Sequence, residues 1–145
     1  MNPGQRIYLA CTVRGDRGGV AAGRRLADGL TARGHVILTS HLLSDDVETA
    51  EAALSEEAVF TRDLDWLTSC DALVAEASAS SFGVGFEVGY ILARAATTGQ
   101  RVYLLYEASR ASRVSRLIVG NCHDACVRVP YQTPEDLETF LNAYF

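Results

Sequence analysis

The sequence predicts an α/β sandwich in which a five-stranded parallel sheet carries helices on both faces. Three observations predict it. Short apolar runs of strand length recur five times along the 145 residues. Segments with helical spacing separate them, and that alternation is how parallel strands are joined by crossover helices. No repeat, linker or low-complexity tract interrupts the pattern. A single domain over residues 1–145 is therefore expected, and the length accommodates one proper core.

Taken in order, Arg6-Ile7-Tyr8-Leu9-Ala10-Cys11 reads as the first strand, followed by a loop from Thr12 to Gly19. Val20 to Arg33 has helical spacing, with Val20, Leu26 and Leu30 on one side and Gly34 placed to stop it. His35 to Thr39 is the second strand, Ser40 to Val47 a loop, Glu48 to Leu54 a short acidic helix and Ser55 to Cys70 a longer one. Ala72 to Ala75 is the third strand. A Ser/Gly turn, Ala77 to Gly85, leads from it into a helix over Val88 to Ala96 that ends near Thr98-Gly99. Arg101 to Tyr106 is the fourth strand, Glu107 to Arg113 a polar loop, Val114 to Val119 a short helix and Cys126 to Val129 the fifth strand. The last helix opens on Thr133 as N-cap, Pro134 at its first position and Asp136 as part of a capping box, and runs to Phe145. This is the order of a Rossmann-like or flavodoxin-like sandwich. In such sheets ligands bind outside the carboxyl ends of the strands.

Composition narrows the function. A formal net charge of −5 argues against a nucleic-acid polymer as partner. No apolar stretch is long enough to span a membrane, and Met1 to Arg6 runs into a strand without a signal-peptide core, so the cytoplasm is the expected location. Of the four cysteines, Cys11 and Cys70 read as buried small hydrophobes. Cys122-His123-Asp124-Ala125-Cys126 lacks the paired spacing of structural zinc sites, and neither a metal nor a disulfide is expected.

Two carboxylates stand out. At about 100° per residue, Val59, Phe60, Leu64, Trp66, Leu67 and Cys70 form one apolar face of the Ser55–Cys70 helix. Asp63 falls within that face and Asp65 on the solvated side. A carboxylate in an apolar stripe costs free energy unless it is paired or functional. An Asp bonded to Arg or Tyr in the core and a catalytic acid are both open. Glu87 follows the Ser/Gly turn, where the first helical turn alone favours an acidic residue. There the dipole is expected to keep Glu87 ionised, as a nucleophile requires, while apolar surroundings raise Asp63, as a proton donor requires. Two carboxyls with separated pKa values are the equipment for cleaving a glycosidic bond.

The segments Ile7-Tyr8-Leu9, Thr12-Val13-Arg14-Gly15, Leu38-Thr39-Ser40-His41, Arg62-Asp63-Leu64-Asp65-Trp66-Leu67, Ser81-Phe82-Gly83-Val84-Gly85-Phe86-Glu87-Val88-Gly89 and Tyr144-Phe145 carry a resemblance over nearly the whole chain. They resemble the 2′-deoxynucleoside 5′-phosphate N-hydrolases of the nucleoside 2-deoxyribosyltransferase superfamily. The resemblance implies Glu87 as the nucleophile at the anomeric carbon, Asp63 as acid/base and Tyr8 as the tyrosine that places nucleophile and sugar. It implies Ser81, with the backbone near Gly83, on the 5′-phosphate. The loop Cys11, Thr12, Val13, Arg14, Gly15, Asp16 and Arg17 wraps the nucleotide, and His41 lines the base pocket. Family members are dimers, which implies a homodimer in which Ser115 reaches the partner's site, with Arg116 and Leu117 beside it. The implied mechanism requires no cofactor.

Each role has a plainer rival: Tyr8 as packing, His41 as a solvated loop residue, Ser115 as a helix cap. Cys11-Thr12 stands where the resembled proteins have Gly-Ser, which bears on sugar or base preference. The expected function is hydrolysis of the N-glycosidic bond of a nucleoside 5′-monophosphate. The alternatives are base exchange between nucleosides, a ribonucleotide N-glycosidase of a nucleoside biosynthetic pathway, and a nucleotide-binding module without catalysis. Two carboxylates beside an anionic ligand repel it, which disfavours the last.

Overall fold

The computed structural model describes residues 3–12 and 14–145. Val13, assigned above to the nucleotide loop, lies outside the described residues. The elements are β1 (Arg6–Ala10), α1 (Val20–Ala32), β2 (Val36–Ile37), α2 (Val47–Ala52), α3 (Glu56–Ser69), β3 (Ala72–Glu76), α4 (Phe82–Thr98), β4 (Arg101–Glu107), α5 (Arg116–Val119), β5 (Cys126–Tyr131) and α6 (Pro134–Tyr144). Two 3₁₀ turns, Ser40–Leu43 and Ala108–Arg113, replace stretches expected as loops.

All five strands are parallel, in the order β2-β1-β3-β4-β5. That is the flavodoxin-like order, and its winding reverses between β1 and β3, where ligands of such sheets bind. Alternation along the strands divides the core. Ile7, Leu9 and Val74 pack with Leu26, Leu30, Phe140 and Leu141 of α1 and α6. Tyr8, Ala10, Leu73 and Ala75 pack with Leu67 of α3 and Val84, Val88 and Ile91 of α4. Both faces are covered, which is why the central strands read as near-continuous apolar runs.

Two elements differ from expectation. The second strand, expected over His35 to Thr39, contracts to Val36–Ile37. The Thr39 hydroxyl takes the place of a strand backbone there, accepting from the Leu9 amide at 3.0 Å and donating to the Leu9 carbonyl. The helix expected from Val88 begins six residues earlier, at Phe82. Ser81 makes this possible by capping it, its hydroxyl accepting from the Val84 amide at 3.2 Å. Gly83 and Gly85 therefore lie inside the helix rather than in a turn. Gly99, at φ 72°, ends it as expected. The capping box at Thr133 and Asp136 is present as read from the sequence.

No helix among the described residues is long and apolar enough to cross a membrane.

Helices α1 and α6 meet through a notch. A Cβ at Gly29 would lie 2.3 Å from Leu141 Cδ1, so the missing side chain is what lets Leu141 seat. Leu141 is fully buried. Leu141→Ala is expected to destabilise the fold by about 2–5 kcal/mol, read as a lowered urea midpoint at unchanged denaturant slope.

Candidate active site

Tyr8 lies on β1 and faces α4. Its side chain is completely buried, and its hydroxyl donates to Glu87 Oε1 at 2.7 Å. Burial, the charges of Glu87 and Asp63, and the bond to Glu87 all push the phenol far above its ordinary range. Tyr8 is thus a permanent donor.

Glu87 corrects the expectation drawn from the turn. It is the sixth residue of α4, in the second turn rather than the first. The helix dipole acts within the first turn and does not hold it ionised. Burial dominates instead and pushes Glu87 up to about 7; the Tyr8 bond opposes this and the charge of Asp63 adds to it. Asp63 on α3 is half-buried, with Asp65 exposed, as the helical period predicts. Asp63 is also raised, chiefly by burial, with Arg62 pulling it down and Glu51 pushing it up. Neither is an ordinary exposed acid.

Beside them sits a polar chain. Arg62 donates from Nε to Asp63 Oδ1 at 2.9 Å and from Nη1 to Glu51 Oε1 at 2.9 Å. Its Nη2 lies 2.8 Å from Asp63 Oδ1 and donates to Glu51 Oε2 at 3.2 Å. His41 Nε2 is 2.8 Å from Glu51 Oε1, and the His41 ring lies 5.5 Å from that of Trp66. His41 is therefore held by protein, and the structure brings it to the carboxylate side of the site.

The remaining candidates sit at the strand carboxyl ends. Thr12 is buried, and its Oγ1 has no hydrogen-bond partner among the described residues. The Cys11 thiol is pushed up to about 11, mainly by burial, and is not a nucleophile at neutral pH. Arg14 is exposed and lies 3.7 Å from Glu56. Gly15 has φ 93°, a backbone that favours glycine. Asp16 pairs with Arg110 and accepts from the Gly18 amide at 2.8 Å. Arg17 donates to the Leu42 carbonyl at 3.2 Å and the Ser44 carbonyl at 3.1 Å. Asp16 and Arg17 thus fasten the loop to its neighbours.

Ser81 and Ser115 share a different feature. A largely apolar groove of about 810 Å³ runs between α4 and α5, lined by Ser81, Phe82, Phe86, Ser115 and Leu117. Tyr8, Asp63 and Glu87 do not line it. Ser115 caps α5, accepting from the Leu117 amide at 3.2 Å. Arg116 and Leu117 are exposed, and Gly83 stands open at the start of α4.

Sequence reasoning missed the binding partners. Glu51 and Arg62 meet across separate helices, and no spacing signals that. Glu76, at the end of β3, is 2% exposed and accepts from the Ser78 amide at 2.6 Å, the Ser78 hydroxyl at 3.1 Å and Tyr131. The only signal was a charged residue closing an apolar run. A Cβ on Gly19 would sit 2.8 Å from the Glu76 carboxyl, so this buried group seats the start of α1.

With this geometry in hand, comparison with known proteins is decisive for the family. The nucleoside 2-deoxyribosyltransferase family model matches residues 7–136. The chain belongs to this family. A Thermofilum pendens protein named as a 2′-deoxynucleoside 5′-phosphate N-hydrolase is 42% identical over 115 residues, covering 79% of this chain and 77% of its own. The 5-hydroxymethyl-dUMP N-hydrolase of Mus musculus is 32% identical over 141 residues, 96% of this chain and 79% of that protein. The solved structure of a Clostridium botulinum CMP N-glycosidase superposes with a TM-score of 0.67 at 20% identity, covering 97% of this chain and 100% of that one, a likeness of fold.

The raised carboxyls have a consequence for stability. A carboxyl raised in the folded state binds its proton more tightly than in the unfolded chain. Its contribution is present below the unfolded value and lost as pH rises through the folded one. For Glu87 that window runs from 4.5 to about 7. Asp63 and Glu76 have the same sign. Urea unfolding free energy is therefore expected to decline across this window, and Glu87→Gln to flatten the decline and stabilise the protein at pH 7 and above.

Proposed function

We propose that this chain, as one domain over residues 1–145, hydrolyses the N-glycosidic bond of nucleoside 5′-monophosphates. The products are the free base and (2-deoxy)ribose 5-phosphate. The observation that carries this reading is the buried Tyr8–Glu87 bond, with a second raised carboxyl, Asp63, whose charge bears on Glu87. The names of the relatives, hydrolases of nucleoside 5′-phosphates, support the same substrate class.

In the reaction, Glu87 attacks C1′ of the sugar as a carboxylate and forms a glycosyl ester. The C1′–N bond breaks, its electron pair goes to the base, and Asp63 supplies the proton that the departing base takes up. Asp63, now a carboxylate, takes a proton from water as that water attacks C1′. The ester opens, Glu87 is regenerated and the proton rests on Asp63. Tyr8 holds Glu87 Oε1 and leaves its other oxygen for the sugar. The buried pair holds the Glu87 proton until about pH 7, so the free enzyme must surrender it to become nucleophilic.

Ser81, the backbone near Gly83, Thr12 and Arg14 are proposed to hold the 5′-phosphate. Cys11, Val13, Gly15, Asp16 and Arg17 shape the loop over the nucleotide, and His41 lines the base side. No cofactor is needed. A homodimer would bring Ser115, Arg116 and Leu117 of one copy to the other's site. The apolar groove, the fully exposed Phe82 and the exposed Phe86 and Leu117 support a face covered by a second copy. The proposed setting is the cytoplasm.

The test is a panel of ribo- and deoxyribonucleoside monophosphates assayed for free base without an acceptor base. Release is expected, and none from any member would sink the reading; release only with an acceptor would make the protein a base-exchange enzyme. Glu87→Ala is expected to lower turnover by on the order of 10³-fold or more while nucleotide binding survives. The kcat/KM profile should fall on the acid side with an apparent pKa near 7, that of Glu87. Ser115→Ala should raise KM for nucleotides and leave nucleosides unaffected; equal effects on both would contradict its phosphate role.

A further inference from the structure

Arg62 occupies an unusual place for a cation. Consecutive helical residues do not face one another, so nothing in the α3 spacing delivers the Arg62 guanidinium to Asp63. It is brought there from outside the helix. Glu51 of α2 takes two of its N–H groups, at 2.9 and 3.2 Å. The Trp66 ring lies beneath it, 4.9 Å from Cζ to the ring centroid. Arg62, Glu51 and Asp63 are all largely shielded from water.

The contacts on Asp63 are one-sided. Both Arg62 nitrogens fall on Oδ1, and Oδ2 has no protein partner among the described residues. An unshared arginine here would hold Asp63 as an anion and spoil it as a proton donor. Glu51 changes that, because its carboxylate and Arg62 form a nearly neutral pair. The pair grips Oδ1 by hydrogen bonds without imposing a full positive charge.

We propose that Glu51 and Arg62 are positioning residues that fix Asp63 through Oδ1, so that Oδ2 alone carries the proton exchanged with the nucleobase. His41, bonded to the same Glu51 oxygen, ties this clamp to the base side of the site. The inference rests on the hydrolase reading above and extends it to residues that touch no substrate.

The readout is leaving-group dependence. A clamp acting through Asp63 matters when the base must be protonated and not when it departs unaided. The assay measures kcat/KM, which reports cleavage of the C1′–N bond. The probes are a matched pair for each protein: an ordinary nucleotide and one with an activated base, N7-methylated for a purine or 5-fluorinated for a pyrimidine. Arg62→Met is expected to lower kcat/KM on the ordinary nucleotide by on the order of 10²-fold, the scale of general-acid assistance. The loss on the activated nucleotide should be at least tenfold smaller. Arg62→Lys, which keeps the charge but cannot bridge both carboxylates, should recover only part. Should Arg62→Met fail to fold, the isosteric Glu51→Gln carries the same selective loss at smaller size. Equal losses on both probes, or none, overturn the proposal. Failure of the wild-type protein to release base from either probe overturns the hydrolase reading instead.

Discussion

The hydroxyl of Tyr8 and the carboxyl of Glu87 meet in the interior, 79 positions apart in the chain. That contact requires β1 beside β3, α4 packed on the same face of the sheet, and the face of β1 that carries Tyr8 turned toward α4. Any slip of β1 by one residue would send Tyr8 to the opposite face of the sheet. Its energetic character follows from burial. A carboxyl taken out of water resists ionising, and a phenol beside it resists more strongly still. The pair is therefore a donor that never ionises, holding an acid poised near neutrality. An acid so held gives up its proton only as the pH approaches neutrality.

The second raised carboxyl, Asp63, comes from a neighbouring helix on the same face of the sheet. Asp63 stands on α3, and the elements that surround it are α2 and the 3₁₀ turn carrying His41. The two raised carboxyls are thus brought together from two helices, Glu87 on α4 and Asp63 on α3. On the α1 side, Glu76 with Ser78 and Tyr131 forms a separate buried polar knot. It seats Gly19, the residue that caps α1, and so fixes where the chain enters that helix. The Glu76 carboxyl thus serves to place the start of α1, satisfied by bonds that an apolar core could not supply.

Much of this was legible in the chain. Short apolar runs separated by helical spacing marked the strands, and the period of α3 separated Asp63 from Asp65 without any knowledge of neighbours. The Ser/Gly segment before Glu87 stood out in the chain, but its local structure was misread. A capping serine looks the same whether the helix begins beside it or six residues on, and two glycines so near an N-terminus suggested a turn. Packing of Val84 and Val88 against the sheet outweighs the helical cost of Gly83 and Gly85. The shift of the helix start moved Glu87 out of reach of the dipole, and burial reversed its expected ionisation.

By itself, the sequence determined the fold class, the strands, most helix ends and the identity of the candidate carboxylates. Those follow from local periodicity, capping chemistry and the placement of acids in apolar surroundings. Only the tertiary structure decided which groups face one another: Tyr8 with Glu87, Arg62 between Glu51 and Asp63, Glu76 beneath Gly19. Ionisation was decided there too, because a pKa depends on water excluded and charges brought near, and both are products of segments distant in the chain.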